Sequence, residues 1–311
     1  MSKKKAVIRS DMTRAQWTWK EMKRNKVAYL MVAPYMLIFT LFTVVPVLLS
    51  IVISFTDFNL LEMPNFVFVD NYIRLFLDDD IFMIACKNTL IFAIIVGPAS
   101  YLMSLMVAWF INELPPKIRA IVTLIFYAPS IAGNAYLIWT TLFSSDAYGW
   151  ANAILMELGI IDTPILWFQN ADYVMPLCII VALWMSLGTA FLSFIAGLQG
   201  INKSLYEAGA IDGVKNRWQE LWYITLPSMK PQLMFGAILA ITGAFGFGPV
   251  VTALAGNPSV DYVAYTLNHH LSEYQGTRWE VGYASAISFI MFLMMIGANM
   301  LITKLISKVG Q

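Results

Sequence analysis

Six long stretches of this sequence contain no Asp, Glu, Lys or Arg, and none of the six is shorter than 23 residues. About 20 apolar residues suffice to cross the hydrocarbon core of a bilayer. A soluble domain usually carries about 25% charged residues, whereas this 311-residue chain carries 13%, together with 59% hydrophobic residues. We therefore predict a membrane protein. Disorder is excluded by the apolar content, and a disulfide scaffold by the presence of only two cysteines.

The charge-free stretches predict an all-α membrane protein with six transmembrane helices. A core of buried helices in a soluble protein is the alternative, but charged loops separate all six stretches. The first stretch is not a signal peptide, because it is too long and follows a basic segment without a cleavage site. The predicted spans are 29–54, 88–111, 120–143, 173–198, 232–254 and 281–303.

Basic residues concentrate on one side of the predicted bundle. Of the 20 lysines and arginines, only Arg74, Lys87 and Arg278 fall on the other side. Cytoplasmic loops are enriched in these residues, so both termini are predicted to be cytoplasmic. The net charge of +1 thus combines a basic inner face with an acidic outer face. The outer acids either help a partner to dock or only solvate the loops.

The segment before the first span is predicted to be a basic cytoplasmic leader, residues 1–28, with residues 29–311 forming the membrane domain. Within the leader, Asp11–Val27 interleaves Trp17 and Trp19 with basic residues. Indole rings and basic side chains suit the lipid headgroup region. We expect an interfacial helix that leads into the first span; a regulatory or partner-binding arm is the alternative.

The loop over residues 199–231 has the pattern of a helix-turn-helix on the cytoplasmic side. Asn202 can cap a short helix that runs to Ile211, and Gly213 can end it in a left-handed conformation. A second helix can begin at Asn216, which has capping-box spacing to Gln219. The aromatic and apolar residues that follow are more than a solvated linker needs. The pair either docks a soluble partner or folds against its own bundle.

This loop also resembles a known signature. Glu207-Ala208-Gly209, then Gly213, then Ile224-Thr225-Leu226-Pro227 is similar to the "EAA" motif of binding-protein-dependent ABC importer permeases. Gly209 stands where the motif has a second alanine. Ten residues, not nine, separate Gly213 from Ile224, which predicts either a shifted second helix or a bulged turn.

The resemblance extends over residues 28–305. The end of the first span, Ser54-Phe55-Thr56-Asp57, and the later Phe68–Tyr72 and Asn88–Leu90 segments resemble sugar-type permeases. Together they look like the first of the two permeases of a maltose-type carbohydrate importer in a bacterial cytoplasmic membrane. The membrane domain over 29–311 would then be a six-helix permease domain.

The resemblance implies four kinds of partner besides the lipid bilayer and no nucleic acid. They are a second permease, two cytosolic ATPases, an external solute-binding protein and a carbohydrate, with oligosaccharide size expected. This chain contains no Gly-x-x-x-x-Gly-Lys-Ser/Thr run that could cradle ATP. We therefore expect no cofactor in this chain, with ATP and Mg²⁺ bound by the partner ATPases, and no enzymatic activity of its own.

By resemblance, the first helix of the loop couples the bundle to the ATPase. Glu207 would contact a basic residue of the ATPase. The small residues Ala208, Gly209 and Ala210 would keep the helix slim enough to enter a groove. Gly213 would allow the turn after it. The predicted coupling residues are Glu207, Ala208, Gly209, Ala210, Asp212 and Gly213.

A sugar pathway needs hydroxyl, amide and aromatic groups inside the membrane, where polar groups are costly. Six candidates lie on the third, fourth and fifth spans, and each is also explained by helix packing. The absence of charge from the spans argues against ion coupling and against a charged cargo. The candidate pathway residues are Tyr127, Asn134, Trp184, Ser186, Thr189 and Thr242.

No catalytic or metal-binding constellation is predicted. His269 and His270 have no cysteine nearby, and Cys86 and Cys178 are expected to be packing residues. A secondary carrier or a membrane enzyme is the alternative function. Such a protein usually needs buried carboxylates or a catalytic arrangement at the span ends. Kinks are expected at prolines and glycines within the spans: Pro46, Pro98, Pro129, Gly188, Gly243, Gly246, Gly248 and Pro249.

Overall fold

A computed structural model describes residues 13–306 of the chain. These residues are helical apart from connecting segments and one isolated bridge between Thr56 and Phe66. The predicted all-α class is therefore confirmed for them. They fall into two compact units that divide after Ile53. The predicted boundary after residue 28 lies within the first unit, and the predicted cytoplasmic termini lie outside the described residues.

The first unit contains the leader helix and the first predicted span. The amphipathic helix expected over Asp11–Val27 is present as α1, which Thr13 and Gln16 begin with a reciprocal capping box. The apolar helix that follows contains Pro34 and one π-helical turn and has no buried residue. The elements are α1 (Arg14–Arg24), α2 (Lys26–Phe39), the turn Thr40–Val44 and α3 (Val45–Ile53).

The second unit holds the remaining helices. Its elements are α4 (Asp70–Ile73), α5 (Asp80–Asn112), α6 (Pro116–Ile131), α7 (Leu137–Leu142), α8 (Trp150–Glu157), α9 (Ala171–Met185), α10 (Thr189–Gln199), α11 (Lys203–Ile211), α12 (Arg217–Glu220), α13 (Leu226–Ser228), α14 (Lys230–Ala244), α15 (Gly248–Ala255), α16 (Leu267–Ser272) and α17 (Val281–Ile306). Three π-helical turns, Arg74–Asp78, Leu221–Thr225 and Glu273–Thr277, follow α4, α12 and α16, and Val260–Tyr262 is a 3₁₀ turn.

Three helices among the described residues are long and apolar enough to cross a membrane: Lys26–Ile53, Asp80–Asn112 and Val281–Leu305. Two bent helix pairs raise the number to five if each pair is one span. The pair α9 and α10 bends by 41°, and the segment Arg217–Ser228 meets α14 at 84°.

Several predicted spans differ in detail from the helices observed. The helix predicted over 88–111 begins eight residues earlier, at Asp80, because the Asp79 carboxylate caps it by accepting from the Phe82 N–H. The prediction of one continuous helix over 120–143 is wrong. It is interrupted between Ile131 and Leu137, where Gly133 and Asn134 follow Pro129.

The helices predicted over 173–198 and 232–254 are also interrupted, at Ser186–Gly188 and Phe245–Phe247. Gly188 leaves helical geometry with φ −110° and ψ −135°. Pro249 has no N–H to donate to the Phe245 carbonyl, and the Asn268 side chain donates to that carbonyl instead. Breaks in spans are tolerated where another group satisfies the freed backbone.

The core that supports the 199–231 loop lies where α5, α10 and α14 meet. Phe191, Phe194 and Met229 are fully buried there. Gly236 lets α14 approach closely, because a Cβ at that position would lie 2.3 Å from the Phe194 ring. The loop therefore emerges from closely packed helices.

Candidate functional site

The first helix of the loop, α11, is bounded as its sequence predicts. The Asn202 side chain accepts from the Ser204 N–H at 3.1 Å and begins the helix. Gly213 ends it in the left-handed region with φ +94°. The Gly213 and Val214 N–H groups donate back to Ala210 and Gly209, which completes a Schellman motif. The predicted cap and the predicted turn are both confirmed.

The second helix also begins where it is predicted. The Asn216 side chain accepts from the Gln219 N–H at 2.9 Å. The reciprocal bond of the expected capping box goes one residue further back, because the Lys215 N–H donates to the Gln219 side chain at 2.8 Å.

The extra residue before Ile224 is accommodated by the π-helical turn Leu221–Thr225. Leu226 N–H donates to the Leu221 carbonyl, a bond that spans one residue more than an α-helical bond does. The bulge therefore lies within the second helix, whereas the turn at Gly213 keeps regular Schellman bonding.

The coupling residues predicted on α11 do not all face the same way. Glu207, Ala208, Ala210, Asp212 and Gly213 are exposed. Gly209 is buried, and a Cβ there would lie 2.5 Å from Ile224 Cδ1. Glycine at this position therefore lets α11 pack against the second helix, whereas the other predicted residues remain open to a partner.

Hydrogen bonds and ring contacts hold the two helices of the loop together and hold them against α5. Tyr206 and Thr225 join the two helices through their hydroxyls, 2.9 Å apart. The guanidinium of Arg217 contacts Glu113 at 2.6 Å and Glu220 at 2.8 Å. Trp109 of α5 and Trp218 of α12 lie with their ring centroids 5.0 Å apart.

We name Trp109, Glu113, Arg217, Trp218 and Glu220 the inner cluster, after the predicted inner face. A partly open cavity of about 570 Å³ adjoins it. Sequence reasoning missed the contacts to Trp109 and Glu113, because no local pattern links residues so far apart in the chain, 104 positions for Glu113 and Arg217.

Only two of the six predicted pathway residues come together. Ser186 and Thr189 line a cavity of about 310 Å³ at the break between α9 and α10. Ser100 and Ser104 of α5 line it as well, and the sequence analysis missed them. These two serines are four residues apart, which places both on one face of α5. This spacing is the sequence signal from which they could have been predicted.

The other four predicted pathway residues lie outside this cavity. Tyr127 packs against the apolar core, Trp184 packs against Trp139, and Asn134 accepts from the Tyr136 hydroxyl at 3.0 Å. Thr242 is exposed.

The opposite end of α5 is surrounded by a second group of polar residues. Asp79 Oδ2 accepts from the Tyr283 hydroxyl at 2.7 Å, from His270 Nε2 at 2.9 Å and from the Tyr274 hydroxyl at 3.4 Å. The Arg74 guanidinium lies 4.1 Å from the centre of the Tyr283 ring. We name Arg74, Asp79, His270, Tyr274 and Tyr283 the outer cluster.

Two ion pairs flank the outer cluster. Arg74 pairs with Glu280, and Arg278 pairs with Glu273. Arg278 also lies over the Tyr274 ring, 4.5 Å from its centre. The Arg74–Glu280 pair joins the segment before α5 to the segment before α17, whereas the contacts of Arg278 lie within residues 273–278.

Burial and hydrogen bonding set the charges in the outer cluster. Burial alone would raise the pKa of Asp79, but bonds from Tyr283, the Phe82 N–H and His270 outweigh it and hold that pKa below its usual value. Burial lowers the pKa of His270 despite the neighbouring carboxylate, and lowers that of His269 to about 4. The Asp79–His270 contact is thus a hydrogen bond that a neutral ring donates to the carboxylate at neutral pH.

Within residues 13–306, no group of three or more His, Cys, Asp or Glu residues is placed to hold a metal ion. Cys86 and Cys178 are both free thiols. The described residues therefore offer contacts and cavities rather than an assembled metal centre.

Comparisons with known proteins assign the chain to a family. A protein-family model with the description "binding-protein-dependent transport system inner membrane component" matches residues 18–311. The probable ABC transporter permease YesP of Bacillus subtilis is 32% identical over 277 residues, 87% of each chain. The arabinooligosaccharides permease AraP of the same organism is 30% identical and covers 92% of this chain and 91% of its own.

Two further similarities agree with this assignment. The lactose permease LacF of Rhizobium radiobacter is 30% identical over 86% of this chain and 89% of its own. A chain in the crystal structure of a bacterial ABC transporter involved in the import of the acidic polysaccharide alginate has the same fold, with a TM-score of 0.74 at 23% identity over 94% of this chain and 100% of its own. This multi-pass membrane protein therefore belongs to the inner membrane components of binding-protein-dependent transport systems.

Proposed function

We propose that this chain is a permease subunit of an ATP-driven importer for a carbohydrate of oligosaccharide size. It forms half of the translocation pathway beside a second permease. Two cytosolic ATPases, which bind ATP and Mg²⁺, drive it, and an external solute-binding protein delivers the cargo. The relatives named for arabinooligosaccharides and lactose support the substrate class.

The proposed topology has six spans in a bacterial inner membrane with both termini in the cytoplasm. Besides the long helices, it counts the interrupted segments 116–142, 171–199 and 230–255 as single spans. The distribution of Lys and Arg supports the orientation. The break between α9 and α10 lines a cavity, which is where irregular backbone is tolerated at membrane depth.

One observation carries the coupling proposal: α11 is a helix capped at both ends, with small, exposed residues and a family motif. The Schellman motif fixes its end, and Gly209 holds it against the second helix. Glu207, Ala208 and Ala210 are left facing outward. We propose that these residues enter a groove on the ATPase, and that ATP-driven closure then moves the helix pair and the bundle behind it.

The cavity beside Ser186 and Thr189 is the proposed stretch of the pathway within this subunit. No charged residue lines it, which favours a neutral cargo. Its volume of about 310 Å³ is small for a ligand pocket, and the second permease would supply the remaining wall.

The test uses the complete transporter, co-purified with its second permease and ATPases and reconstituted with its binding protein. Uptake of labelled arabino-oligosaccharides and lactose is measured with and without ATP. Glu207→Lys combined with Gly213→Pro is expected to abolish ATP-driven uptake and co-purification of the ATPases. The control is Glu157→Lys, an exposed glutamate on α8, which is expected to leave both unchanged.

Two outcomes would contradict the proposal. If ATP-driven uptake and ATPase co-purification both survive in the double variant, the coupling role is wrong. Uptake by the wild type in the absence of any ATPase would instead identify a secondary carrier.

A further inference from the structure

The two prongs of the Arg217 guanidinium contact carboxylates on different elements. Nη1 pairs with Glu220, one turn further along the same helix, and Nη2 pairs with Glu113, at the end of α5. A planar guanidinium can hold two carboxylates in fixed directions, whereas a lysine ammonium cannot. Arg217 thus connects the second helix of the loop to a helix that is remote in sequence.

A ring contact beside this ion pair joins the same two elements. Trp109 lies one turn before Glu113 on α5 and packs against Trp218, which directly follows Arg217. Trp109 is 9% exposed, so the contact extends from the surface into the apolar core. The end of α5 is held in turn by Arg119 of α6, which donates to Asn112 Oδ1 at 2.9 Å.

The helix reached by these contacts is the longest of the described helices. α5 has 33 residues, so it is about 50 Å long at the rise of an α-helix. Its other end carries Asp79, which accepts from His270, Tyr274 and Tyr283. One helix therefore joins the inner cluster to the outer cluster.

The backbone of the 199–231 loop leads directly only to α10 and α14. Given the coupling role proposed above, we propose that the inner cluster provides a further route: Arg217 and Trp218 transmit the displacement of the coupling helices into α5 through Glu113 and Trp109. Arg217 and Glu113 are then positioning residues. They act on the transport step through α5, without contact with cargo or nucleotide.

The exposure of the Arg217–Glu113 pair and the free space beside it suit a contact that changes during transport. The side chains of Arg217 and Glu113 are 62% and 42% exposed, so the pair can shift in solvent. The cavity of about 570 Å³ beside it is lined by Trp109, Glu113 and Arg217. This free space lets the side chains of the ion pair change position as the helix pair moves.

The experiment compares two carboxylates bound to the same arginine, in the reconstituted transporter with arabino-oligosaccharide as the cargo. Glu113→Gln removes the link to α5, and Glu220→Gln removes only the link within the loop. The readout is cargo imported per ATP hydrolysed. Glu113→Gln is expected to lower this ratio at least about fivefold, the lower range of typical coupling between sites. Glu220→Gln is expected to stay within about twofold of wild type.

Two further variants separate positioning from folding. Arg217→Lys keeps the charge but loses the two-pronged geometry, and is expected to behave as Glu113→Gln does. The charge swap Glu113→Arg with Arg217→Glu, made with Glu220→Gln so that the new glutamate meets no like charge, is expected to restore at least about half of the ratio lost. ATPase co-purification is expected to be unchanged in all variants.

The route through α5 is wrong if Glu113→Gln and Glu220→Gln change the ratio equally, or if Glu113→Gln leaves it at the wild-type value. It is also wrong if Glu113→Gln lowers the ratio only in proportion to lost ATPase subunits. A failure of the proposed function is distinct, because the wild-type transporter would then show no ATP-dependent uptake at all.

Discussion

The two ends of α5 are held by polar clusters of opposite character. At the outer end, the side chains of Asp79 and His270 are 9% and 2% exposed, and hydrogen bonds converge on one carboxylate oxygen. At the inner end, Arg217 and Glu113 form an ion pair of which both partners are largely in solvent. The same helix is thus fixed by a buried network at one end and held by an exposed pair at the other.

The difference indicates what each end can do. Breaking a buried network leaves donors unpaired in a low dielectric, so it has one stable arrangement. An exposed ion pair contributes little to stability and can rearrange. We infer that the outer end fixes α5 to α17, and that the inner end is where relative motion is permitted.

The largest effect is expected from Asp79→Asn. Asparagine has one acceptor oxygen where aspartate has two, so it cannot accept both from the Phe82 N–H and from His270, Tyr274 and Tyr283, and at least one donor loses its partner. We expect a loss of about 2–5 kcal/mol of unfolding free energy. The measurement is thermal unfolding of the detergent-solubilised protein. Asp78→Asn, an exposed neighbour, is the control, and an equal loss there would contradict the role of the buried network.

Gly282→Ala tests the packing of α17 against the hairpin around Thr56. A Cβ at Gly282 would lie 2.0 Å from the Thr56 carbonyl oxygen, and the Gly282 N–H donates to the Phe58 carbonyl at 2.8 Å. Backbone cannot move aside cheaply, so we expect a loss of about 3 kcal/mol, the upper range for overpacking.

The matched control for that substitution is Gly297→Ala in the same helix. No atom lies within 4 Å of a Cβ placed there, so the helix propensity of alanine is expected to raise the melting temperature slightly. If both variants melt at the same temperature, the close approach at Gly282 is not a constraint.

Acidification is expected to lower the stability of the protein through His269, which directly precedes His270 of the outer cluster. His269 is buried and neutral with a pKa of about 4, against 6.5 for a free histidine. The unfolded chain therefore binds a proton between about pH 6.5 and pH 4 that the folded chain does not, and stability falls as the pH falls through this range. Going from pH 7 to pH 5 is expected to cost about 2 kcal/mol for this group.

Denaturant unfolding across this pH range measures the effect. The control is His269→Gln, which removes the titrating ring and keeps a side chain able to accept from the Thr266 N–H in a capping box. Its stability is expected to depend less on pH. An unchanged slope in the variant would show that His269 does not carry the acid sensitivity.

The features that could be predicted from the sequence are those that depend on residues close together in the chain. The charge-free stretches located the apolar helices, and Asn202, Gly213 and Asn216 located both ends of the coupling turn because caps are local interactions. Where the spans break was foreseen only as a set of candidate glycines and prolines. Whether such a residue breaks a helix depends on what packs there, such as the Asn268 side chain at Phe245.

The clusters at the two ends of α5 could not be predicted. Asp79 and Tyr283 are 204 positions apart, and Arg217 and Glu113 are 104 apart. Each looks like an ordinary loop or span-end residue until the fold brings the partners together. Which polar residues of a span line a pathway is equally hidden in the sequence, because such a residue faces a cavity or a packed neighbour according to helix rotation.

Glu113→Gln is expected to cause the smallest change in stability. It is also the sharpest test of the difference between the two ends of α5. Because both partners of the pair are largely exposed, its loss is expected to change the unfolding free energy by less than about 1 kcal/mol. The same substitution is expected to lower the cargo imported per ATP hydrolysed. Asp79→Asn should instead lower stability first and transport only as protein is lost.

Plotting the coupling ratio against melting temperature for both variants separates the two ends of α5. A large drop in melting temperature for Glu113→Gln would mean that the inner end is as rigid as the outer one. In that case the arrangement of one fixed and one mobile end is wrong. Glu113→Gln is expected to lower the coupling ratio with little change in melting temperature, and Asp79→Asn to lower the melting temperature. The two separate because a contact that moves during transport cannot also be one on which the fold depends.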